Sequence, residues 1–253
     1  MIDSGYGILW TQVILAAALT RSARSVAGRK AEPEEPIFAY ADTHGGGGTL
    51  ARPAAIAAVE AVADQLNGTA FLDAVSRPTR DGGHPGSWVL AARVIEAAGL
   101  ALESDVNDHD PLVIEAAKAN RESGWTRFWS HDWFLFLRER LNRPERPDFV
   151  FIDPPSDDPR GPGYAIDAAI LLDTFGIPYM VSYPVDSPQA PIDQIGRSGL
   201  ELHRDGQGWG VLLGGGAEAV VLDVLADLRL VATALGGSFN VRLPHAPVDD
   251  YCI

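Results

Sequence analysis

Thiol chemistry is nearly absent from this chain: Cys252 is the single cysteine among 253 residues. That excludes an intrachain disulfide and a cysteine-based zinc site. Positive charge is scarce as well, with 20 Lys and Arg against 34 Asp and Glu, a formal net charge of -14. Surfaces that grip nucleic acid neutralise phosphates with basic side chains, so this balance argues against a nucleic-acid partner while leaving room for a local basic patch. Long apolar runs are missing. The most apolar early stretch, residues 8–19, is too short to span a bilayer, and Asp3 near the start speaks against a signal peptide. The expectation is a soluble, cytoplasmic, acidic protein without membrane contact. The six histidines show no metal-ligand spacing, and neither H-E-x-x-H, G-x-S-x-G nor a Walker A lysine occurs. Zincin, α/β-hydrolase and nucleotide-triphosphatase chemistry are therefore disfavoured.

What is present suits one α/β domain: the length allows a sizeable core, and 46% hydrophobic with 21% charged residues is ordinary globular composition. Helix-period and strand-like segments alternate along the chain. The pattern predicts strands at 37–41, 99–106, 125–129, 147–152, 178–183, 209–213 and 238–243. Helices are predicted at 9–24, 53–65, 87–96, 111–120, 133–141, 165–175 and 218–235, with 191–198 a short helix or loop. Alternation of this kind means a mostly parallel sheet with helices on both faces. The N-terminal helix and linker, residues 1–35, are expected to pack on a core formed by 36–253. Ligands of such sheets sit beyond the carboxyl ends of the strands. The loops at 42–48, 103–107, 130–132, 153–156 and 183–187 all follow strands and are expected to meet at one edge.

Four of these loops carry candidate chemistry. Residues 42–48 read D-T-H-G-G-G-G straight after a strand, which brings bare backbone amides near a ligand carboxylate or phosphate. The glycines are contiguous and no helix opens directly after them, so a dinucleotide fingerprint is disfavoured. A flexible loop without ligand has the same composition. Glu103 and Asp105 end the second strand, where a carboxylate can take both hydroxyls of a ribose; a solvated strand end is the alternative. His131-Asp132 follows the third strand and suits either an adenine edge or the cap of the next helix. Asp153-Pro154-Pro155-Ser156 makes a stiff turn that aims a carboxylate and a carbonyl into the cleft, two acceptors able to hold an amino group.

Together these pieces resemble the class I S-adenosylmethionine-dependent methyltransferases. More specifically they resemble the RlmJ-type family, which methylates an adenine N6 in 23S ribosomal RNA. The resemblance rests on F-A-Y-A-D-T-H-G-G-G-G at 38–48, H-P-G-S at 84–87, F-V-F-I-D-P-P at 149–155 and S-Y-P-V at 182–185, over roughly 36–243. It implies a Rossmann-like sheet of seven strands and S-adenosylmethionine as cofactor. By that analogy Asp42, His44, Gly46 and Gly48 line the methionine end, with Ser87 close by. Asp105, preferred over Glu103, holds the ribose; Asp132 faces the adenine amino group; Asp153 and Pro154 form the catalytic acceptor pair.

The chain also departs from that family. Ser156 stands where the family has the aromatic residue that stacks on the target base, a contact worth about 1–3 kcal/mol. The N-terminal family motif has at best a counterpart at 7–17, without its lysine and histidine, and the helical insert after the glycines is short. Trp88, Trp129, Trp133 or Tyr183 are candidates for a replacement aromatic wall. The leading expectation is an S-adenosylmethionine-binding methyltransferase acting on an amine of a small molecule or protein rather than ribosomal RNA. The alternatives are a catalytically inactive fold used as a binding or assembly subunit with a protein partner, and a retained RNA adenine-N6 methyltransferase.

Overall fold

The computed structural model describes residues 5–29, 36–67, 70–121, 125–155, 158, 160–185 and 197–242. The chain opens with α1 (Gly5–Arg29) and enters the sheet at β1 (Ile37–Asp42). A short excursion follows: β2 (Thr49–Leu50), α2 (Ile56–Glu60), α3 (Phe71–Val75) and β3 (His84–Pro85). Then come α4 (Ser87–Ala97), β4 (Ala101–Asn107), α5 (Pro111–Ala119), β5 (Trp125–Trp129), α6 (Trp133–Leu141), β6 (Phe149–Ile152), α7 (Gly161–Phe175) and β7 (Tyr179–Pro184). The chain closes with β8 (Ser198–Arg204), β9 (Gln207–Gly214), α8 (Val220–Ala234) and β10 (Ser238–Arg242).

The main sheet runs β10-β8-β9-β7-β6-β1-β4-β5, and β2 pairs β3 in a separate ribbon. The five strands from β5 to β7 are parallel, while β9, β8 and β10 each pair antiparallel to their neighbour. The sheet therefore has eight strands, not the seven expected. The strand missing from the sequence reading is β8, whose first residue, Ser198, ends the 191–198 stretch read as helix or loop; residues 191–196 lie outside those described. Its signal was Asp205-Gly206. Both residues have positive φ, 50° and 76°, the geometry of a two-residue hairpin turn that an Asp-Gly pair favours. With that edge strand included, the architecture is the expected Rossmann-like α/β one: a mostly parallel sheet, helices on both faces, and an antiparallel margin.

Strand alternation sorts the core into two layers. Phe38, Tyr40, Phe149 and Phe151 point to the face covered by α1, α3, α4 and α8, and Ala41, Val150 and Ile152 to the face covered by α6 and α7. The first helix is longer than predicted and is built in, with Leu9, Trp10, Val13, Ile14 and Ala17 buried. The Trp10 indole donates to the Leu200 carbonyl at 3.1 Å. Among the described residues no helix is long and apolar enough to cross a membrane. The predicted helix 53–65 is broken into α2 and a 3-10 turn at Ala63–Gln65. Arg93 of α4 ties the excursion down by donating to the carbonyls of Ala74, Arg77 and Pro78, which fixes Ser87 beside the glycine loop.

Candidate functional site

The site is built on Asp42, the last residue of β1. Its side chain is fully buried. One oxygen accepts the His44 amide at 3.1 Å; the other accepts the hydroxyls of Tyr40 at 3.0 Å and Ser87 at 2.5 Å. All these donors are neutral. Burial raises the Asp42 pKa to about 7, against the opposing pull of the Ser87, His44 and Tyr40 hydrogen bonds. The same bonds shape the turn. Thr43 donates its amide to Phe151 O at 3.1 Å, and Gly45 donates to Asn107 O at 2.8 Å. The amides of Gly46 and Gly47 have no partner among the described residues. Gly46 and Gly48 hold φ of 58° and 79°. At Gly48 a Cβ would also run into the Trp88 indole, so the turn requires glycine there on two counts.

A cavity of about 530 Å³ opens beside these glycines. The loop after β6 contributes Asp153, Pro154 and Pro155; β7 contributes Ser182 and Tyr183; β9 contributes Trp209. The far wall is α1, through Ile8, Thr11, Gln12 and Leu15. A larger cleft, about 840 Å³, lies at the opposite end of the strands around Arg24, Arg146 and Gly216, away from these acids. The smaller cavity is the one formed at the carboxyl ends of the strands, where this architecture binds ligands.

Asp153 faces the open cavity with protein behind it. That enclosure raises its pKa above the ordinary carboxylate value, and a hydrogen bond donated by the Ser182 hydroxyl pulls the other way. His44 lines the same cavity. The Thr43 hydroxyl lies 2.7 Å from its Nδ1 and donates its proton to Phe151 O at 3.3 Å. Nε2 is buried and without a partner among the described residues. Burial lowers the His44 pKa to about 4, so the ring is neutral at pH 7.

His44, Gly46, Gly48, Ser87, Asp153 and Pro154 thus line the cavity, with Asp42 buried behind them and bonded to Ser87. Asp105 and Asp132 do not line it. Asp105 sits beneath α6, where Arg127 makes two bonds to it at 2.8 and 2.9 Å, the Trp129 indole donates at 2.9 Å, and Arg140 Nε lies 2.7 Å away. Glu103 is 3.9 Å from Arg127. The tip of β4 is Asn107, which donates to the carbonyls of Thr43 and His131 and accepts the His131 amide, each at 3.1 Å. This carboxamide staples the loops after β1, β4 and β5 to one another. Asp132 caps α6 by accepting the amides of Phe134 and Leu135, and lies 3.8 Å from Arg160. Ser156 is outside the described residues. Of the proposed aromatic wall, Tyr183 lines the cavity, Trp88 packs behind Gly48, Trp133 packs on His44, and Trp129 bonds Asp105.

Sequence reasoning missed the α1 wall, Ser182 as a partner of Asp153, and Trp209. The α1 contribution carried no local signal, since its lining residues read as an ordinary apolar helix face. For S-adenosylmethionine the donor set fits at one end: two free amides in a glycine turn suit the amino-acid carboxylate. At the nucleoside end, the carboxylate expected to hold the ribose is already taken by two guanidinium groups.

A Rossmann-like sheet with a glycine turn after β1 and D-P-P after β6 is consistent with a class I methyltransferase fold. Among solved structures the chain is similar to protein LPL1258 from Legionella pneumophila str. Philadelphia 1, of family-model DUF519, with TM-score 0.69 and 17% identity over 93% of this chain and 97% of that one. It also aligns with a protein from Listeria monocytogenes (lmo1582) put forward as a class I S-adenosylmethionine-dependent methyltransferase, with TM-score 0.40 and 10% identity over 85% of this chain and 70% of that one. At these identities the first likeness speaks for the fold alone, and the second carries no argument. No protein-family model and no curated protein matches the sequence.

Proposed function

We propose that this chain is an S-adenosylmethionine-dependent N-methyltransferase whose acceptor is an amine outside ribosomal RNA. One observation carries the reading: the glycine turn with two free amides and the Asp153 carboxylate open into the same cavity. When bound, the cofactor supplies an electrophilic methyl group. The chain supplies the rest. Gly46 and Gly47 hold a carboxylate, and Asp42 and Ser87 keep the turn in shape behind them. Asp153 and the Pro154 carbonyl accept hydrogen bonds from the attacking nitrogen, which directs its lone pair and lowers the cost of aligning the reactants. A carboxyl with a raised pKa is also suited to take the proton that the nitrogen sheds.

Calorimetry with S-adenosylmethionine and its demethylated product tests the reading: absence of heat with either ligand at millimolar concentration would end it. If the cofactor binds, Asp153→Ala should abolish methyl transfer and leave cofactor affinity within about twofold. The sealed state of Asp105 favours a second reading, a methyltransferase fold kept as a binding or assembly subunit without cofactor. The same titration separates the two. The RNA adenine reading is weakened by a cavity wall that, among the described residues, has neither arginine nor lysine.

A further inference from the structure

The polar groups around the cavity are unevenly committed. The Ser182 hydroxyl donates to Asp153, and the Ser87 hydroxyl donates to Asp42. Gln12 is held at both ends: its amide nitrogen donates to the Pro85 carbonyl at 2.8 Å, and its oxygen lies 2.7 Å from His84 Nε2. The Tyr183 hydroxyl donates to Glu201. Four of the side-chain donors on the walls are therefore used within the protein, while the Thr11 hydroxyl and the Trp209 indole N–H make no hydrogen bond among the described residues. An acceptor remains open, the second oxygen of Asp153, which has no hydrogen-bond partner among the described residues. Among the described residues the cavity wall has no cationic side chain, and His44 there is neutral at pH 7.

Around that acceptor the surface is apolar. Ile8 and Leu15 of α1, Leu50 of β2, Pro155 and Trp209 form it. On this side, away from the Gly46 and Gly47 amides, a phosphate would meet a carboxylate and, among the described residues, no cation, which is a repulsive and poorly solvated setting. An ammonium or amine N–H would meet an unshared carboxylate oxygen, with hydrocarbon and an indole to receive the rest of the molecule.

We propose that the α1 side of this cavity binds a phosphate-free primary amine on a compact apolar or aromatic body. The inference rests on reading this cavity as the acceptor side of the methyl-transfer site. Asp153 takes the nitrogen, and the α1 wall with Trp209 takes the body and sets its length. The acidic partner balance of the whole chain then continues into its cleft.

The test is a calorimetric panel at pH 8 using phenethylamine, 3-phenylpropionate and adenosine monophosphate. Phenethylamine should bind, and at least tenfold more tightly than the other two. Asp153→Asn should weaken it at least tenfold, because the amide keeps the shape and loses the charge. Ile8→Trp, on the half-buried face of α1, should abolish phenethylamine binding by filling the apolar end, and its melting temperature reports on folding. Equal affinity of phenethylamine for wild type and Asp153→Asn would overturn the proposal, as would binding of adenosine monophosphate at the same strength. A parallel titration with S-adenosylmethionine keeps the two readings apart. Amine binding without cofactor binding removes the methyltransferase and leaves the amine site. Cofactor binding without amine binding does the reverse.

Discussion

Two buried acids at neighbouring strand ends have met opposite fates. Asp105 on β4 is surrounded by two guanidinium groups and an indole N–H, so its charge is compensated in place. Asp42 on β1 is buried as deeply and has only hydroxyls and one amide for partners. Asp153, on the next strand over, has the Ser182 hydroxyl. A carboxylate with cationic partners is committed to holding the structure together. One with neutral partners keeps a raised pKa and an unfilled demand for positive charge, which is how functional acids differ from structural ones. Both kinds lie within one sheet, and the difference follows from which neighbouring elements carry arginine, here β5 with Arg127 and α6 with Arg140.

The comparison breaks if the two kinds of acid respond alike to substitution. The largest effect is expected for Asp105→Ala. It leaves Arg140, 3% exposed, buried beside Arg127 without its counter-charge, and should cost about 3–5 kcal/mol of unfolding free energy in urea titrations. The next concerns pH. The folded Asp42 pKa of about 7 lies well above the ordinary carboxylate value, so the folded state holds the proton more tightly. Its contribution is full below about pH 4 and is lost as pH rises toward 7. Asp42→Asn should remove up to about 1.4 kcal/mol per pH unit from the fall in stability across that window. Buried His84 has the opposite sign. Burial lowers its pKa to about 4, so its contribution is present above pH 6.5 and is lost as pH falls toward 4. His84→Asn should flatten that acid limb in thermal melts. Smaller again is Gly46→Ala, which places a Cβ at φ of 58° in open space; about 1 kcal/mol of stability should be lost. Asp153→Asn should change stability by less than about 1 kcal/mol, since its carboxylate has no cation to strand. A loss as large as that of Asp105→Ala would erase the distinction.

Much of the sheet was legible because strand and helix periods differ and each loop of interest followed an apolar run. The parallel strands, the capping of α5 by Asp110 and the start of α4 at Ser87 all carry local signals. β8 carries only a weak strand signal because its alternating residues include glycine, glutamate and histidine, and its clearest mark is the Asp205-Gly206 hairpin turn. The fate of Asp105 was not legible at all. Its partners come from β5 and α6, and whether an acid at a strand end faces a ligand or an arginine depends on which face of the sheet it takes. The contribution of α1 to the cavity was hidden for the same reason: the contact is tertiary and the sequence separation large.

That separation has a kinetic consequence. Trp10 bonds Leu200 across 190 residues, and α1 also packs on α8 and β9. Such long-range closure is slow to form, since the intervening chain must be ordered first. Until β8 and β9 have paired and α1 has docked on them, the parallel strands can be in place while the cavity still lacks a wall. Ligand binding therefore reports completion of the last tertiary contacts rather than formation of the sheet. In refolding experiments, recovery of ligand affinity should lag behind recovery of far-ultraviolet circular dichroism.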